Sequence, residues 1–256
     1  EKKLEMDRRL IKERISQLKK ELEHVKKHRE LLREGRKKDR VMTAAIVGYT
    51  NAGKSTLLNT LTDAGVLSED KLFATLDPTT RLLELDGGQR IYLTDTVGFI
   101  RKLPHHLIEA FKSTLEEAKY ADVILHVVDA SNPQVEEQMF IVYETLRELG
   151  VKDKTIVTLF NKQDRLAGNE ILRDFKADYV LKISARTGWG LDELKNTLEK
   201  ILIGNQIYIE RVLDYKDAGM LQLVRKYGQL IEEKYTENGI EIKARVPKDI
   251  YGRLGE

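Results

Sequence analysis

The run Gly48-Tyr49-Thr50-Asn51-Ala52-Gly53-Lys54-Ser55 constrains this chain more than any other stretch. It has the form G-x-x-x-x-G-K-[ST], after an apolar run (Val41–Val47) and before a helical pattern (Lys54–Asp63). A loop in that setting wraps phosphates. Its glycines let backbone N–H groups approach the oxygens, and the helix start adds its positive end. Lys54 reaches the β/γ oxygens, the Ser55 hydroxyl suits Mg²⁺, and Thr56 follows inside the same helix start.

The texture after Val41 agrees. Short β-branched runs at Arg81–Leu85, Ile91–Leu93, Val123–Val128, Thr155–Phe160 and Tyr179–Ile183 alternate with helical patterns. The helical patterns are His106–Lys119, Val135–Leu149 and Leu191–Ile203. Such alternation predicts an α/β fold: a mostly parallel six-stranded sheet with helices on both faces. Asp86-Gly87-Gly88 joins two runs as a hairpin, so one strand is antiparallel. After Gly204, Ile207–Leu213 and Ile240–Val246 alternate as strands and Ala218–Tyr235 reads as a helix, a small βαβ unit. The expected domains are 1–40, 41–204 and 205–256.

The near-neutral total, 44 Lys+Arg against 42 Asp+Glu, hides an asymmetry. Residues 1–40 hold 16 basic and 9 acidic side chains, so a basic arm precedes a mildly acidic body. Leu4, Ile11, Leu18, Val25 and Leu32 recur every seven residues, with Ile15 and Leu22 four after members of that row. This is the seam of a coiled coil or helical hairpin, with Gly35 as its expected stop. The basic face is either a solvated surface or a phosphate-facing one. No cysteine is present, which excludes disulfides, thiolate zinc sites and cysteine nucleophiles. No apolar run approaches the ~18–20 residues of a membrane span. A cytoplasmic location is expected, with a monomer as the default.

A phosphate loop alone does not choose a base. Asn161-Lys162-Gln163-Asp164, just after a buried-type strand, does. The Asp164 carboxylate can accept from both N1–H and the 2-amino group of guanine, whereas adenine leaves it unpaired. Asn161 and the Lys162 stem would steady the loop and flank the base. Ser184-Ala185-Arg186 can offer the Ala185 N–H to guanine O6. Asp95-Thr96-Val97-Gly98 ends a strand, so Asp95 can hold Mg²⁺ through water and the Gly98 N–H can sense a γ-phosphate. Between the phosphate loop and Asp95 lies Phe73-Ala74-Thr75-Leu76-Asp77-Pro78-Thr79-Thr80, where Thr75, Thr79 and Thr80 are each candidates to complete the Mg²⁺ shell. His105 and His106 read as loop or capping residues.

GYTNAGKS at Gly48–Ser55, FATLDPTTR at Phe73–Arg81 and TDTVGFI at Thr94–Ile100 together resemble the HflX family of P-loop GTPases. LPHHLIEAFKSTL at Leu103–Leu115, HVVDAS at His126–Ser131 and LEMDRR at Leu4–Arg9 extend the resemblance. It implies a GTP-hydrolysing switch that binds Mg²⁺ and GTP or GDP, associates with the large ribosomal subunit and its RNA, and separates stalled or idle ribosomes. The alternative is a nucleotide-gated RNA- or ribosome-binding module with negligible turnover. By resemblance, Thr75 is the switch threonine and a metal ligand beside Ser55 and Asp95, and Phe73–Asp77 joins the nucleotide site. Lys54, Thr75 and Gly98 carry the catalytic roles. Asn51 matches a position that some related GTPases use for a stimulatory K⁺. Family members also carry an N-terminal α/β domain and a first hairpin helix, so this sequence is expected to be a piece of a larger protein. Phe99 stands where Ras-like enzymes place a water-orienting glutamine, which implies slow intrinsic hydrolysis accelerated by a partner.

Overall fold

The computed structural model describes residues 2–39, 41–62, 79–99, 115–168 and 171–253. The chain forms two compact units, 1–41 and 42–256.

The first unit is one helix, α1 (Lys2–Asp39). It continues through Gly35, which was expected to stop it. A glycine inside a helix costs only about 1 kcal/mol, less than the surrounding helix formers supply. Ile11, Ile15, Leu18, Leu22, Val25 and Leu32 of the heptad seam are all exposed.

The second unit begins with β1 (Met42–Gly48) and α2 (Lys54–Thr62). A hairpin of β2 (Thr79–Glu84) and β3 (Arg90–Asp95) comes next among the described residues. Helix α3 (115–120) and β4 (Val123–Asp129) follow, then α4 (Val135–Glu148) and β5 (Thr155–Asn161). The sheet closes with β6 (Tyr179–Lys182), and α5 (Leu191–Gly204) covers it.

Strand order is β2-β3-β1-β4-β5-β6, with only β2 antiparallel to its neighbour. The inner strands β1, β4 and β5 are apolar because both faces are covered, whereas the edge strands β2 and β6 are largely exposed. Val123, Leu125 and Val127 pack with Leu57 and Leu58 of α2 and Leu194 and Leu198 of α5. Ile124, between them, packs with Ala118 of α3 and Val142 and Leu146 of α4 on the opposite face. The chain reverses its winding at β1, flanked by β3 and β4, and such a switch point opens a ligand crevice at the carboxyl ends of the strands.

The C-terminal part departs from the βαβ expectation. Strand β7 (Gln206–Leu213) and helix α6 (Ala218–Tyr227) form as read, but Gln229–Thr236 is a strand, β8, and not the end of a helix. It turns at Asn238-Gly239 into β9 (Gly239–Pro247), and α7 (Lys248–Arg253) follows. The result is an antiparallel sheet in the order β7-β9-β8. Gly228 is the break. A Cβ there would lie 2.6 Å from the Arg245 carbonyl oxygen, so the chain passes β9 too closely for a helix to continue. This sheet has its own core of Ile209, Leu213, Leu221, Val224, Ile240, Ile242, Val246 and Ile250. It touches the larger sheet where Gln89 Nε2 donates to Gln229 Oε1 at 2.9 Å.

Candidate functional site

The phosphate loop runs from the end of β1 into α2, as its sequence requires. Gly53 has φ +100°, and a Cβ on it would lie 2.3 Å from Asn161 Nδ2, so the loop can approach Asn161 only as glycine. Asn51 also sits in the left-handed region at φ 60°. Lys54 is buried, and its Nζ donates to the Tyr49 carbonyl at 3.0 Å. Burial lowers its pKa to about 8, with Asp95 pulling in the opposite direction. Thr56 lies in the first turn of α2.

Asp95 ends β3 beside Ile46 of β1 and is fully buried. Its Oδ2 accepts from Ser55 Oγ at 2.6 Å, so the two expected metal ligands already face each other. Thr96 Oγ1 donates to Ile46 O at 2.7 Å and pins the strand end. Val97 is buried beside it. Gly98 then lies against the phosphate loop. A Cβ there would stand 2.7 Å from Thr50 Cα and 3.0 Å from Lys54 Nζ. Two backbone bonds close the approach, Thr50 N–H to Phe99 O and Phe99 N–H to Gly48 O, at 2.8 and 3.0 Å. The Phe99 ring is 3% exposed and packs with Val47, Leu115 and Ile124, so it is core and not a water-handling group.

The base-type motifs converge on the same end of the sheet. Asn161 Nδ2 donates to Ala52 O at 2.8 Å, and Asn161 Oδ1 accepts the Ala185 N–H at 2.9 Å. That N–H, expected to serve a guanine O6, is here engaged by Asn161. Ser184 Oγ donates to Asp164 Oδ1 at 2.6 Å and holds that carboxyl below the usual carboxylate range. Asp164 itself is exposed, and Arg186 is exposed as well. Phe73, Ala74, Thr75, Leu76 and Asp77 lie outside the described residues, as do His105 and His106. Thr79 and Thr80 begin β2, where Thr80 Oγ1 shares a hydrogen bond with Thr94 Oγ1 at 2.9 Å.

Two residues join the site that sequence motifs did not assign. Thr60 Oγ1 lies 2.7 Å from Ala185 O and so ties α2 to the loop after β6. Asp129 Oδ2 pairs with Lys162 Nζ at 2.7 Å. Asp129 stood inside the HVVDAS stretch, but nothing in the sequence joined it to Lys162.

A parallel sheet of this order with a phosphate loop, a strand-end aspartate and an N-K-x-D loop at its carboxyl edge defines a P-loop GTPase domain. Residues 43–162 match the protein family described as a 50S ribosome-binding GTPase, and residues 1–36 the one described as a GTP-binding GTPase middle region. GTPase HflX of Lacrimispora saccharolytica is 66% identical over 256 residues, covering all of this chain and 60% of the relative. GTPase HflX of Escherichia coli (strain K12) is 45% identical over 98% of this chain and 60% of the relative. The chain belongs to the HflX family of GTPases, and it spans about 60% of the length of these curated relatives.

Solved structures agree on the fold. A GTP-binding protein from Sulfolobus solfataricus in complex with GDP gives a TM-score of 0.52 at 30% identity, over 68% of this chain and 56% of that one. An Era variant from Aquifex aeolicus bound to GDP and AlF₄⁻ gives 0.51 at 25%, over 78% and 75%.

Proposed function

We propose that this chain binds GTP and GDP and hydrolyses GTP as a switch that associates with the large ribosomal subunit. The carrying observation is Asn161, which fastens the N-K-x-D loop to the phosphate loop and leaves the exposed Asp164 carboxylate beside it. A guanine satisfies that carboxylate through two donors, and an adenine does not. Ser55 and Asp95 offer hard oxygen ligands 2.6 Å apart, a donor set suited to Mg²⁺, which would offset charge on the phosphates. Thr75 would be the third metal-facing residue. Lys54 and the loop N–H groups bind and orient the β/γ oxygens, and Gly98 brings its N–H against the same loop.

With Phe99 buried, this chain offers no glutamine at that position to orient water. Slow intrinsic hydrolysis and stimulation by a partner follow. A ribosomal partner is supported by the description of the family matched over residues 43–162 and by the basic excess of residues 1–40. Asn51, exposed on the loop, is where a stimulatory K⁺ would act, and equal rates in K⁺ and Na⁺ buffers dispose of that role. The buried Phe99 also favours a second reading, a nucleotide-gated RNA-binding module with negligible turnover.

The deciding assay is GTP and ATP hydrolysis with and without large ribosomal subunits, with Lys54→Ala as the control. Subunit-stimulated GTP turnover supports the switch. Binding to subunits without stimulation supports the module, and equal use of ATP overturns the assignment of Asp164.

A further inference from the structure

Lys162, next to Asn161, holds a left-handed backbone, φ 65° and ψ 33°. For a residue with a side chain that conformation costs roughly 1–2 kcal/mol, so the surroundings must hold it. Backbone bonds hold the loop, Gln163 N–H to Ile183 O at 3.2 Å and Arg165 N–H to Lys162 O at 2.9 Å, and Asp129 holds the side chain. In the parallel β4–β5 ladder Asp129 stands opposite Asn161, and Ala130 N–H donates to Asn161 O at 3.0 Å. Asp129 Oδ1 accepts the Ser131 N–H at 3.0 Å and Ser131 Oγ at 2.6 Å. Its Oδ2 is left to the Lys162 ammonium at 2.7 Å, with the two side chains only 14% and 16% exposed. Such a half-buried, preset pair is worth more than a surface one, because the carboxylate does not reorganise to meet its partner.

We propose that Asp129 is a positioning residue for the base-binding loop: its carboxylate anchors the Lys162 ammonium and so lays the lysine stem down as an apolar wall for the purine ring. The proposal rests on the guanine-nucleotide reading above. A lysine stem covers apolar surface well only when its head is tethered or solvated at the far end. Without Asp129 the head has no fixed anchor and the stem leaves the loop. The wall is indifferent to the exocyclic groups of the base. Asp129 therefore governs how tightly any purine is held, and Asp164 governs which one.

The test is equilibrium binding of GDP and IDP, the inosine analogue that lacks the 2-amino group, to wild type and Asp129→Asn. The asparagine keeps the Oδ1 acceptor for Ser131 and turns an NH₂ toward the ammonium. Affinity for both nucleotides is expected to fall on the order of tenfold, the loss of one charge-assisted hydrogen bond, with the GDP/IDP ratio unchanged. Asp164→Asn is expected to collapse that ratio. Lys162→Met, which removes only the ammonium, reads the same contact if Asp129→Asn fails to fold. The double variant Asp129→Asn/Lys162→Met is expected to bind no worse than either single one. A folded Asp129→Asn with wild-type affinity overturns the proposal, as do additive losses in the double variant, which would mark Asp129 as merely structural. A wild-type chain that binds neither nucleotide overturns the guanine-nucleotide reading instead.

Discussion

The side-chain amide of Asn161 reaches across 109 residues of sequence to donate to Ala52 O, inside the phosphate loop, at 2.8 Å. Its carbonyl end holds the Ala185 N–H. One buried side chain thus joins the phosphate loop to both base-side loops. Replacing Asn161 with Ala strands a buried carbonyl and a buried N–H, each costing about 1–3 kcal/mol. The expected outcome is a loss of about 3 kcal/mol in urea unfolding together with a large fall in GDP affinity. A variant that keeps wild-type affinity would show that the three loops hold their places without this clamp.

Lys54 makes nucleotide binding pH-dependent. Burial lowers its pKa to about 8, and in the proposed site phosphate oxygens beside it are expected to raise it on binding. Only the charged form pairs with phosphate, so above pH 8 each binding event takes up a proton. GDP affinity should hold steady below about pH 7.5 and then fall toward tenfold per pH unit. Titration calorimetry between about pH 7 and 9 checks this, and Lys54→Met should flatten the curve while weakening binding throughout.

His126 makes stability pH-dependent. It is buried on β4, edge-on to Tyr143, with Nδ1 3.9 Å from Asp174 Oδ2. Asp174 Oδ2 already accepts from Tyr143 at 2.6 Å and Thr158 at 2.7 Å. Desolvation lowers the His126 pKa from 6.5 to about 4; Asp174 opposes the shift and Lys54 adds to it. The unfolded chain therefore binds a proton that the folded chain refuses between these values, and stability falls as pH drops through that window. The loss is about 2 kcal/mol at pH 5 relative to pH 7. Urea midpoints at the two pH values should separate accordingly in wild type and converge in His126→Asn.

Gly98 has no room for a methyl group. Thr50 Cα, a backbone atom, would lie 2.7 Å from the new Cβ, so Gly98→Ala must push the phosphate loop and the Asp95–Gly98 turn apart. Overpacking of this kind costs about 1–3 kcal/mol, and here the displaced atoms flank Lys54. GTP turnover should fall more than GDP affinity, as single-turnover assays beside binding isotherms would show. Equal losses in both would mean that the turn does not act on the γ-phosphate.

The Gln89–Gln229 hydrogen bond ties the tip of the β2–β3 hairpin to the C-terminal sheet. One neutral, partly buried bond is worth about 1 kcal/mol, so Gln229→Ala should lower the thermal midpoint slightly without abolishing folding. Calorimetry that resolves two transitions in the variant and one in wild type would mark this contact as a seam between the two sheets.

By itself the sequence determined the parts whose physics is local. Gly53-Lys54-Ser55 declares its chemistry because only those residue types wrap and neutralise phosphate. The inner strands β1, β4 and β5 declare themselves because burial on both faces demands runs such as Val123–Val128. The guanine-selecting role proposed for Asp164 was legible because a carboxylate there satisfies the donors of guanine and not adenine. The sequence misjudged Ala218–Tyr235, where one apolar rhythm serves a helix and then a strand. Only the passage of Gly228 against Arg245 O decides where one becomes the other. It was silent on what each site residue touches. Asn161 on Ala52, Ser184 on Asp164 and Asp129 on Lys162 are partners because the order β3-β1-β4-β5-β6 sets their strand ends side by side. Hydrogen bonds reach about 3 Å, and only the tertiary arrangement brings residues so distant in the chain within that range.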